Sequence, residues 1–239
     1  MVASATVSHD GPDPLDSELK RAGAVLVSDH GSVVPANFGS VSGEIAVCQR
    51  GVGMADRTDL TVLELSGKAE RVAQSVERMT SRSPEAGASW VSTGSWWVAI
   101  SAERVLALAD WTGAERIKHG LRAPAPGLRT AELEDVTDSY SVLTLIGPRT
   151  GKLLAAAGLT EADRPSLDRF TQPQLAGKTI LMLRESDSQL LLLARADSAV
   201  VTWTHLRDAG IPLGIGFVGL EALARLGVAA RTRARQAAG

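Results

Sequence analysis

Two groups of charged residues lie just before predicted strands and are the best candidates for chemistry in this sequence. The first group precedes a strand at Thr61 and the second a strand at Tyr140; the members are Asp56, Arg57 and Asp59, then Glu132, Glu134, Asp135 and Asp138. If both loops open onto one cleft, their carboxylates could bind a cationic or amine-bearing ligand. The alternative is that both groups are solvated turns at the start of a strand.

The other reactive side chains form no self-sufficient catalytic motif. His205 has Asp208 at helical spacing, but such a pair is typical of a surface contact, and no metal site is predicted. No Walker loop and no G-x-G-x-x-G motif is present, so Gly214 and Gly216 are predicted to form a turn. Cys48, the only cysteine, is predicted to face the inner side of a helix and to be structural.

The composition is typical of a folded, soluble protein. Hydrophobic residues make up 44% of the 239 residues, which suffices for a sizeable core, and the formal charge is −2. Acids and bases are interspersed, so there is no basic stripe for nucleic acid. One cysteine excludes an internal disulfide, and neither a signal peptide nor an apolar run of roughly 18 residues is found. We therefore expect a cytoplasmic protein with no membrane or nucleic-acid partner.

Hydrophobic periodicity predicts helices and strands along the whole chain. The predicted helices cover residues 14–24, 40–51, 68–79, 104–109, 149–157, 197–209 and 219–230, with Ser42 and Asp197 as caps. The predicted strands cover 24–34, with a turn at 29–31, and then 59–66, 90–100, 139–146, 179–183 and 189–194. The last two strands are expected to pair around a turn at 185–188.

A unit of strand, glycine and helix occurs twice, at 60–79 and at 140–157. In each copy an apolar strand ends at a glycine, Gly67 or Gly147, and a helix follows at once. The repetition indicates an α+β fold of two related strand-helix halves around a cleft. The alternative is that the two units are unrelated, because strand–glycine–helix is a common combination.

Breaks in these patterns suggest the domain organisation. Pro124, Pro126 and Gly127 separate the two predicted halves, so the break lies near 120–130. The expected segments are a disordered terminus over 1–12, one domain over 13–228 and a basic tail over 229–239.

Three segments carry a recognisable pattern, and they occur in a fixed order. The first extends from Gly23 to Gly67 and includes VPANFG at 34–39 and GVGMADRT at 51–58. The second is LTLIGPR at 143–149, after Asp135-Val136-Thr137, and the third is AVVTWTHLRDAG at 199–210. A looser fourth match extends from Pro212 to Gly227. Together they resemble the folate-binding aminomethyltransferase superfamily of the glycine-cleavage T-protein type, over about residues 20–228. The implied fold is T-protein-like without the C-terminal barrel domain.

The resemblance implies a folate site between the halves, with tetrahydrofolate as the cofactor. Asp56 is the first candidate for catalytic proton transfer near N10 of the cofactor, and Asp135 is the second. Arg184 matches the superfamily's pterin-side motif and could stack on a pterin or clamp a carboxylate. The implied cofactor-binding residues are Arg184, Glu185, Asp187 and Met54.

The chain departs from the superfamily's pattern in two places. The family's catalytic aspartate lies in a hairpin, whereas residues 87–97 (GASWVSTGSWW) contain no acid and are expected to be too short for one. The glycine-rich pterin loop is replaced by RESDSQL at 184–190. These departures bear on which function the chain retains.

The resemblance leaves two functions open. The first is a tetrahydrofolate-binding module of one-carbon metabolism, in aminomethyl or methyl transfer or demethylation, which needs a partner chain. The second is a non-catalytic structural subunit of a heteromeric sarcosine-oxidase-like amine oxidase, because the short form resembles the γ subunit of sarcosine oxidase. A larger flavoprotein or oxidase chain would then be the partner, with exposed tryptophans as anchors unless all five are core residues.

Overall fold

A computed structural model describes residues 14–122 and 131–228. The helices in these ranges are α1 (Asp16–Arg21), α2 (Val41–Arg50), α3 (Ala69–Thr80), α4 (Trp111–Arg122), α5 (Thr150–Ala156), α6 (Ala199–Gly210) and α7 (Leu220–Arg225). The strands are β1 (Val25–Asp29), β2 (Ser32–Asn37), β3 (Val52–Asp56), β4 (Leu60–Ser66), β5 (Ser89–Ser92), β6 (Ser95–Ser101), β7 (Arg104–Asp110), β8 (Glu132–Asp135), β9 (Tyr140–Ile146), β10 (Phe170–Thr171), β11 (Gln174–Leu175), β12 (Lys178–Thr179), β13 (Leu181–Ser186), β14 (Gln189–Arg195) and β15 (Ile215–Phe217). The predicted disordered terminus, the break at Pro124–Gly127 and the basic tail lie outside the described residues.

Two large sheets form the centre of the molecule. One has six strands in the order β10-β13-β14-β9-β3-β15, and the other has five in the order β5-β6-β7-β4-β8. Within the described ranges β15 with β3 is the one parallel pair. The turn predicted over Gly214 to Gly216 is wrong beyond Gly214, because Ile215 and Gly216 belong to β15. The mainly antiparallel pairing agrees with the predicted α+β class and is not that of a doubly wound sheet.

The two sheets pack face to face, with helices on their outer faces, in four layers. The layer between the sheets is apolar; its buried members are Leu60, Val62, Val98, Leu106 and Leu108 from one sheet and Val142, Leu181, Leu183, Leu191 and Leu193 from the other. Leu19, Leu153 and Trp203 attach α1, α5 and α6 to the six-stranded sheet. Val76 and Ile117 attach α3 and α4 to the five-stranded sheet. Since a core fills the space between the halves, any cleft between them is confined to its margin.

The two halves repeat one arrangement of elements. The order β4–α3–β6–β7–α4 in the first half matches β9–α5–β13–β14–α6 in the second, and both give the same strand order in their sheets. The strand that precedes each unit pairs with the opposite unit: β3 pairs with β9, and β8 pairs with β4. The predicted fold of two related strand-helix halves is confirmed, and each half contributes one strand to the other's sheet.

The region between α3 and α4 differs from the prediction. Ser89–Ser92 and Ser95–Ser101 form a β-hairpin, so the expectation that the chain is too short for a hairpin here is wrong. The helix predicted over 104–109 is also wrong, because these residues form β7 and helix α4 begins at Trp111. Both faces of β7 lie in apolar layers, and periodicity alone cannot separate such a strand from a buried helical segment.

Neither predicted helix cap is correct. The cap of α2 is Ser40, not Ser42; the Ser40 hydroxyl accepts a hydrogen bond of 3.2 Å from the backbone N–H of Gly43. The cap position of α6 is Ser198, and Asp197 instead accepts a hydrogen bond of 2.8 Å from the Ser198 hydroxyl. Several candidate capping residues stand side by side at both helix starts, so the sequence places the boundary only to within a few residues.

Cys48 lies on the buried side of α2, in an apolar cluster with Ala55, Ile146 and Val218. Burial, together with the negative charge of Glu44, raises the pKa of its thiol to about 12. Because the thiolate is the reactive form, we expect iodoacetamide at pH 8 to alkylate the folded protein on the order of a thousandfold more slowly than the urea-unfolded protein. Mass spectrometry of timed samples measures both rates. Similar rates in the two states would contradict a buried structural role.

Candidate functional site

The main cleft lies where the β1–β2 hairpin and α1 meet the starts of strands β4 and β9. Its volume is about 400 Å³, within the range of small-molecule sites. Its apolar wall is formed by Leu60, Val62 and Val142 beside Tyr140, and its polar lining includes Asp16, Asp56, Arg57, Thr58, Thr137, Asp138 and Ser141. The cleft thus brings together Asp56 and Asp138, one residue from each of the acidic groups found in the sequence.

Asp56 ends strand β3, at the point where the chain passes from one sheet to the other. Its side chain is nearly buried and accepts a hydrogen bond from the Thr58 hydroxyl. The backbone N–H of Leu60 bonds the carbonyl of Arg57 at 2.9 Å, which turns the chain into β4. This crossing fixes the position of the Asp56 carboxylate in the lining of the cleft.

Arg57 holds this crossing in place with a buried ion pair. Its guanidinium is 4% exposed and forms a bidentate ion pair with the Asp59 carboxylate. Nε donates to Oδ1 at 2.8 Å and Nη2 donates to Oδ2 at 2.9 Å. Nη1 lies 3.4 Å from the Thr144 hydroxyl. Burial alone would lower the pKa of Arg57, but Asp59, and to a smaller extent Glu185 and Asp56, raise it above the usual value, so the side chain stays charged.

The electrostatic character of the main cleft is acidic. Among the described residues that line it, the carboxylates are Asp16, Asp56 and Asp138, and Arg57 is the one basic side chain. Asp59 pairs with Arg57, and Nζ of Lys20 lies 3.6 Å from Oδ2 of Asp16, so what the lining shows is an excess of acidic over basic side chains. Such a lining favours cationic or N–H-rich ligands over anions.

A smaller cleft of about 240 Å³ adjoins the first and shares Arg57, Thr58 and Leu60 with it. One of its walls is a parallel stack of His30, from the β1–β2 turn, on Trp111, with ring centroids 4.6 Å apart. Trp111 is 48% exposed, so the alternative that all five tryptophans are core residues is wrong. The two clefts together form one groove along the seam between the halves.

Asp135 lies outside the lining of either cleft, beside the turn that carries Thr137 and Asp138. It accepts hydrogen bonds from the Thr137 hydroxyl at 2.6 Å and from the Thr137 backbone N–H at 3.2 Å, and Lys118 lies at 3.0 Å. Burial would raise the pKa of this carboxyl, but those bonds and Lys118 lower it below its usual range. The arrangement suits Asp135 to positioning Thr137, which itself lines the cleft.

The four residues expected at a cofactor lie apart from the main cleft. Arg184 pairs with the exposed Asp187 at 2.7 Å across the β13–β14 turn. Glu185 accepts hydrogen bonds from the indole N–H of Trp96 at 2.9 Å and from Gln189. Met54 is fully buried in the core. None of these four lines the main cleft in the described part of the chain, so their roles remain predictions.

Asp16, Tyr140 and Ser141 line the cleft but are absent from the site residues expected from the sequence. Tyr140 is the only tyrosine of the chain and begins an alternating strand, which is a signal that could have pointed to it. Asp16 stands in the first turn of α1, and Ser141 is the second residue of the mostly apolar strand β9. Only the tertiary structure brings α1 to the start of β9, so no local pattern predicts this pair.

Residues 14–122 and 131–228 offer neither a cluster of metal ligands nor a helix suited to spanning a membrane. No group of three or more His, Cys, Asp or Glu side chains there is placed to hold a metal ion. No helix in these ranges combines the length and the apolar character that crossing a bilayer requires.

Comparison with known proteins defines the class of the fold. No model of a known protein family matches the chain. An aminomethyltransferase from Halothermothrix orenii is 23% identical over 223 aligned residues, which cover 87% of this chain and 62% of that protein. The resemblance inferred from the motifs is confirmed: the chain has the T-protein-like fold of the folate-binding aminomethyltransferase superfamily.

Two solved structures show the same fold. The glycine cleavage system aminomethyltransferase T from Bartonella henselae superposes with a TM-score of 0.68 at 17% identity, over 87% of this chain and 59% of that one. A chain of heterotetrameric sarcosine oxidase from Corynebacterium sp. U-96 superposes with a TM-score of 0.59 at 17% identity, over 85% of this chain and 96% of that one. The present chain spans about three-fifths of the length of the aminomethyltransferases that it matches.

Proposed function

We propose that this chain is a tetrahydrofolate-binding module of one-carbon metabolism, which acts in aminomethyl or methyl transfer or in demethylation together with a partner chain. The observation that carries the proposal is the acidic cleft at Asp56, on a fold shared with two aminomethyltransferases. In this proposal the ligand enters the groove along the seam between the halves.

The lining of the main cleft fits a flat heterocycle that is rich in N–H groups. Leu60, Val62 and Val142 offer an apolar wall, and Tyr140 adds an aromatic side chain. The Asp56 carboxylate can accept hydrogen bonds from ring N–H groups. Tetrahydrofolate would supply the nitrogen atoms that carry the one-carbon group, while the chain orients the ring and shields it from water.

Two carboxylates have distinct roles in this proposal. Asp56 lines the cleft and is nearly buried, so it is the candidate for holding or moving a proton at the ligand. Asp135 acts through Thr137 as a positioning residue.

A second candidate function is a structural subunit of a sarcosine-oxidase-like amine oxidase. The match to the sarcosine oxidase chain favours this function, because the present chain covers 96% of that chain's length. The turn of the β5–β6 hairpin carries no acid, and Trp96 of β6 instead donates to Glu185 of the opposite half. A catalytic role at this hairpin would then be absent, and Trp111 would be an anchor for the partner.

Calorimetric titration of tetrahydrofolate into the purified chain tests the first proposal. We expect micromolar affinity, and a loss of about 1.5–3 kcal/mol for Asp56→Asn, the range of a hydrogen bond to a charged group. Arg184→Ala locates the ligand, because it would weaken binding by a similar amount only if the cofactor reached the β13–β14 turn. Asp208→Asn, an exposed carboxylate outside both clefts, is the matched control.

The outcomes separate the two functions. Loss of affinity in Asp56→Asn with normal affinity in Asp208→Asn supports the cleft as the folate site. No heat of binding for the chain alone or with its co-purified partner would contradict folate binding and favour the structural subunit.

A further inference from the structure

One side of the main cleft contains two buried polar atoms without a hydrogen-bond partner in the described chain. They are Oδ1 of Asp16, at the start of α1, and the hydroxyl oxygen of Ser141, in the second position of β9. Both residues line the cleft, and Ser141 is 6% exposed. Buried polar groups are rarely left unpaired, because the lost hydrogen bonds to water cost free energy. Two such atoms in one wall point to a bound group that completes them.

We propose that Asp16 and Ser141 bind the ammonium group of a small organic amine. An ammonium group presents N–H donors, and the two unpaired oxygens can accept them. Oδ2 of Asp16 lies 3.6 Å from Nζ of Lys20, so Oδ1 is the oxygen that accepts from the ligand. Asp56 and Asp138 add carboxylates to the lining, and Asp59 pairs with Arg57.

Other small ligands fit this wall less well. A carboxylate or phosphate would face the Asp16 carboxylate and would have to displace Asp59 from Arg57. A metal ion needs several ligating side chains, and no group of three such residues is found in the described ranges. An organic cation that donates hydrogen bonds avoids both problems, since it is not repelled by Asp16 and does not need three ligating side chains.

This inference rests on the proposed function and refines it, because it assigns the residues at Asp16 and Ser141 to a second, amine-bearing ligand beside the folate. The amine subsite lies at α1 and the start of β9, whereas the folate is proposed to contact Asp56 at the end of β3. The two ligands can therefore be tested separately.

Titration of methylammonium chloride, followed by backbone amide shifts in two-dimensional NMR spectra, tests the subsite. We expect saturable shifts at residues around Asp16 and Ser141 with a millimolar dissociation constant, which is the limit for a ligand of two heavy atoms. Asp16→Asn should weaken binding by tenfold or more, and Ser141→Ala by about threefold. Asp208→Asn, outside both clefts, should bind as the wild type does.

Three further titrations at matched ionic strength complete the test. Sodium chloride controls for charge screening, methanol for a neutral ligand of the same size, and tetramethylammonium for a cation without N–H groups. The proposal expects little or no saturable shift with any of the three. It is overturned if one of them reproduces the methylammonium shifts, or if Asp208→Asn weakens binding as much as Asp16→Asn. Methylammonium binding without tetrahydrofolate binding would support the subsite and contradict the folate proposal, and the reverse result would overturn only the subsite.

Discussion

Replacing Arg57 by Met is expected to destabilise the protein by about 3–5 kcal/mol, the usual effect of removing one partner of a buried ion pair. The guanidinium is 4% exposed and makes two hydrogen bonds to Asp59. Without it, the Asp59 carboxylate loses both of these bonds at a position that is mostly buried. Urea unfolding, followed by circular dichroism, measures the loss: the urea concentration at the midpoint falls, while the slope of the unfolding free energy against urea concentration stays unchanged.

Two further variants distinguish the buried pair from a general effect of charge. Arg184→Met removes an arginine from a pair with the exposed Asp187, and its cost should stay below about 1 kcal/mol. The double variant Arg57→Met with Asp59→Leu should recover most of the stability, since replacing both partners leaves no charge unpaired. A double variant as unstable as Arg57→Met alone would show that packing, not the uncompensated carboxylate, determines the loss.

Replacing Gly147 by Ala is expected to cost about 1–3 kcal/mol more than replacing Gly67 by Ala, although both glycines end the strand of a repeated unit. Their φ angles are nearly equal, +129° and +132°, so the backbone strain of a side chain is common to both. At Gly147 an added Cβ would lie 2.5 Å from the carbonyl oxygen of Gly51, whereas nothing lies within 4 Å at Gly67.

Thermal unfolding of the two alanine variants in parallel checks this difference. Gly67→Ala gives the strain of the positive φ alone, and the excess in Gly147→Ala gives the clash with the neighbouring backbone. Equal losses would mean that the chain at Gly51 moves aside at no cost. Close backbone packing therefore explains the glycine of the GPR motif, Gly147: it follows the last residue of β9 and lies against Gly51, which precedes the first residue of β3.

The elements that the sequence predicts well are those whose own residues alternate. Strand β4 carries core residues on both faces, but the polar residues Thr61, Glu64 and Ser66 stand at partly exposed positions between them, so polar and apolar residues interchange along it. Strand β7 is apolar on both faces and was indistinguishable from a helix. Strand β3 is short, contains Gly53 and is buried at every position, so no period marks it.

The site was predictable only in part, for a related reason. Asp56 and Asp138 stand in charged clusters just before strands, and the cleft contains both. Asp16 and Ser141 form their wall only because α1 packs across the start of β9, a contact between residues far apart in sequence. Arg184 was expected at a strand end but lies inside β13, opposite Leu190 of β14, and its guanidinium pairs with Asp187 rather than entering the cleft.

The exchange of strands β3 and β8 makes the chain resemble a domain-swapped dimer joined into one polypeptide. Each repeated unit gives its leading strand to the other unit's sheet, as two copies of one short protein would do on swapping. Neither half can complete its sheet without the other, and a half on its own would expose strand edges that invite aggregation. The two halves are therefore one cooperative folding unit, in which the second copy acts as an intramolecular subunit of the first.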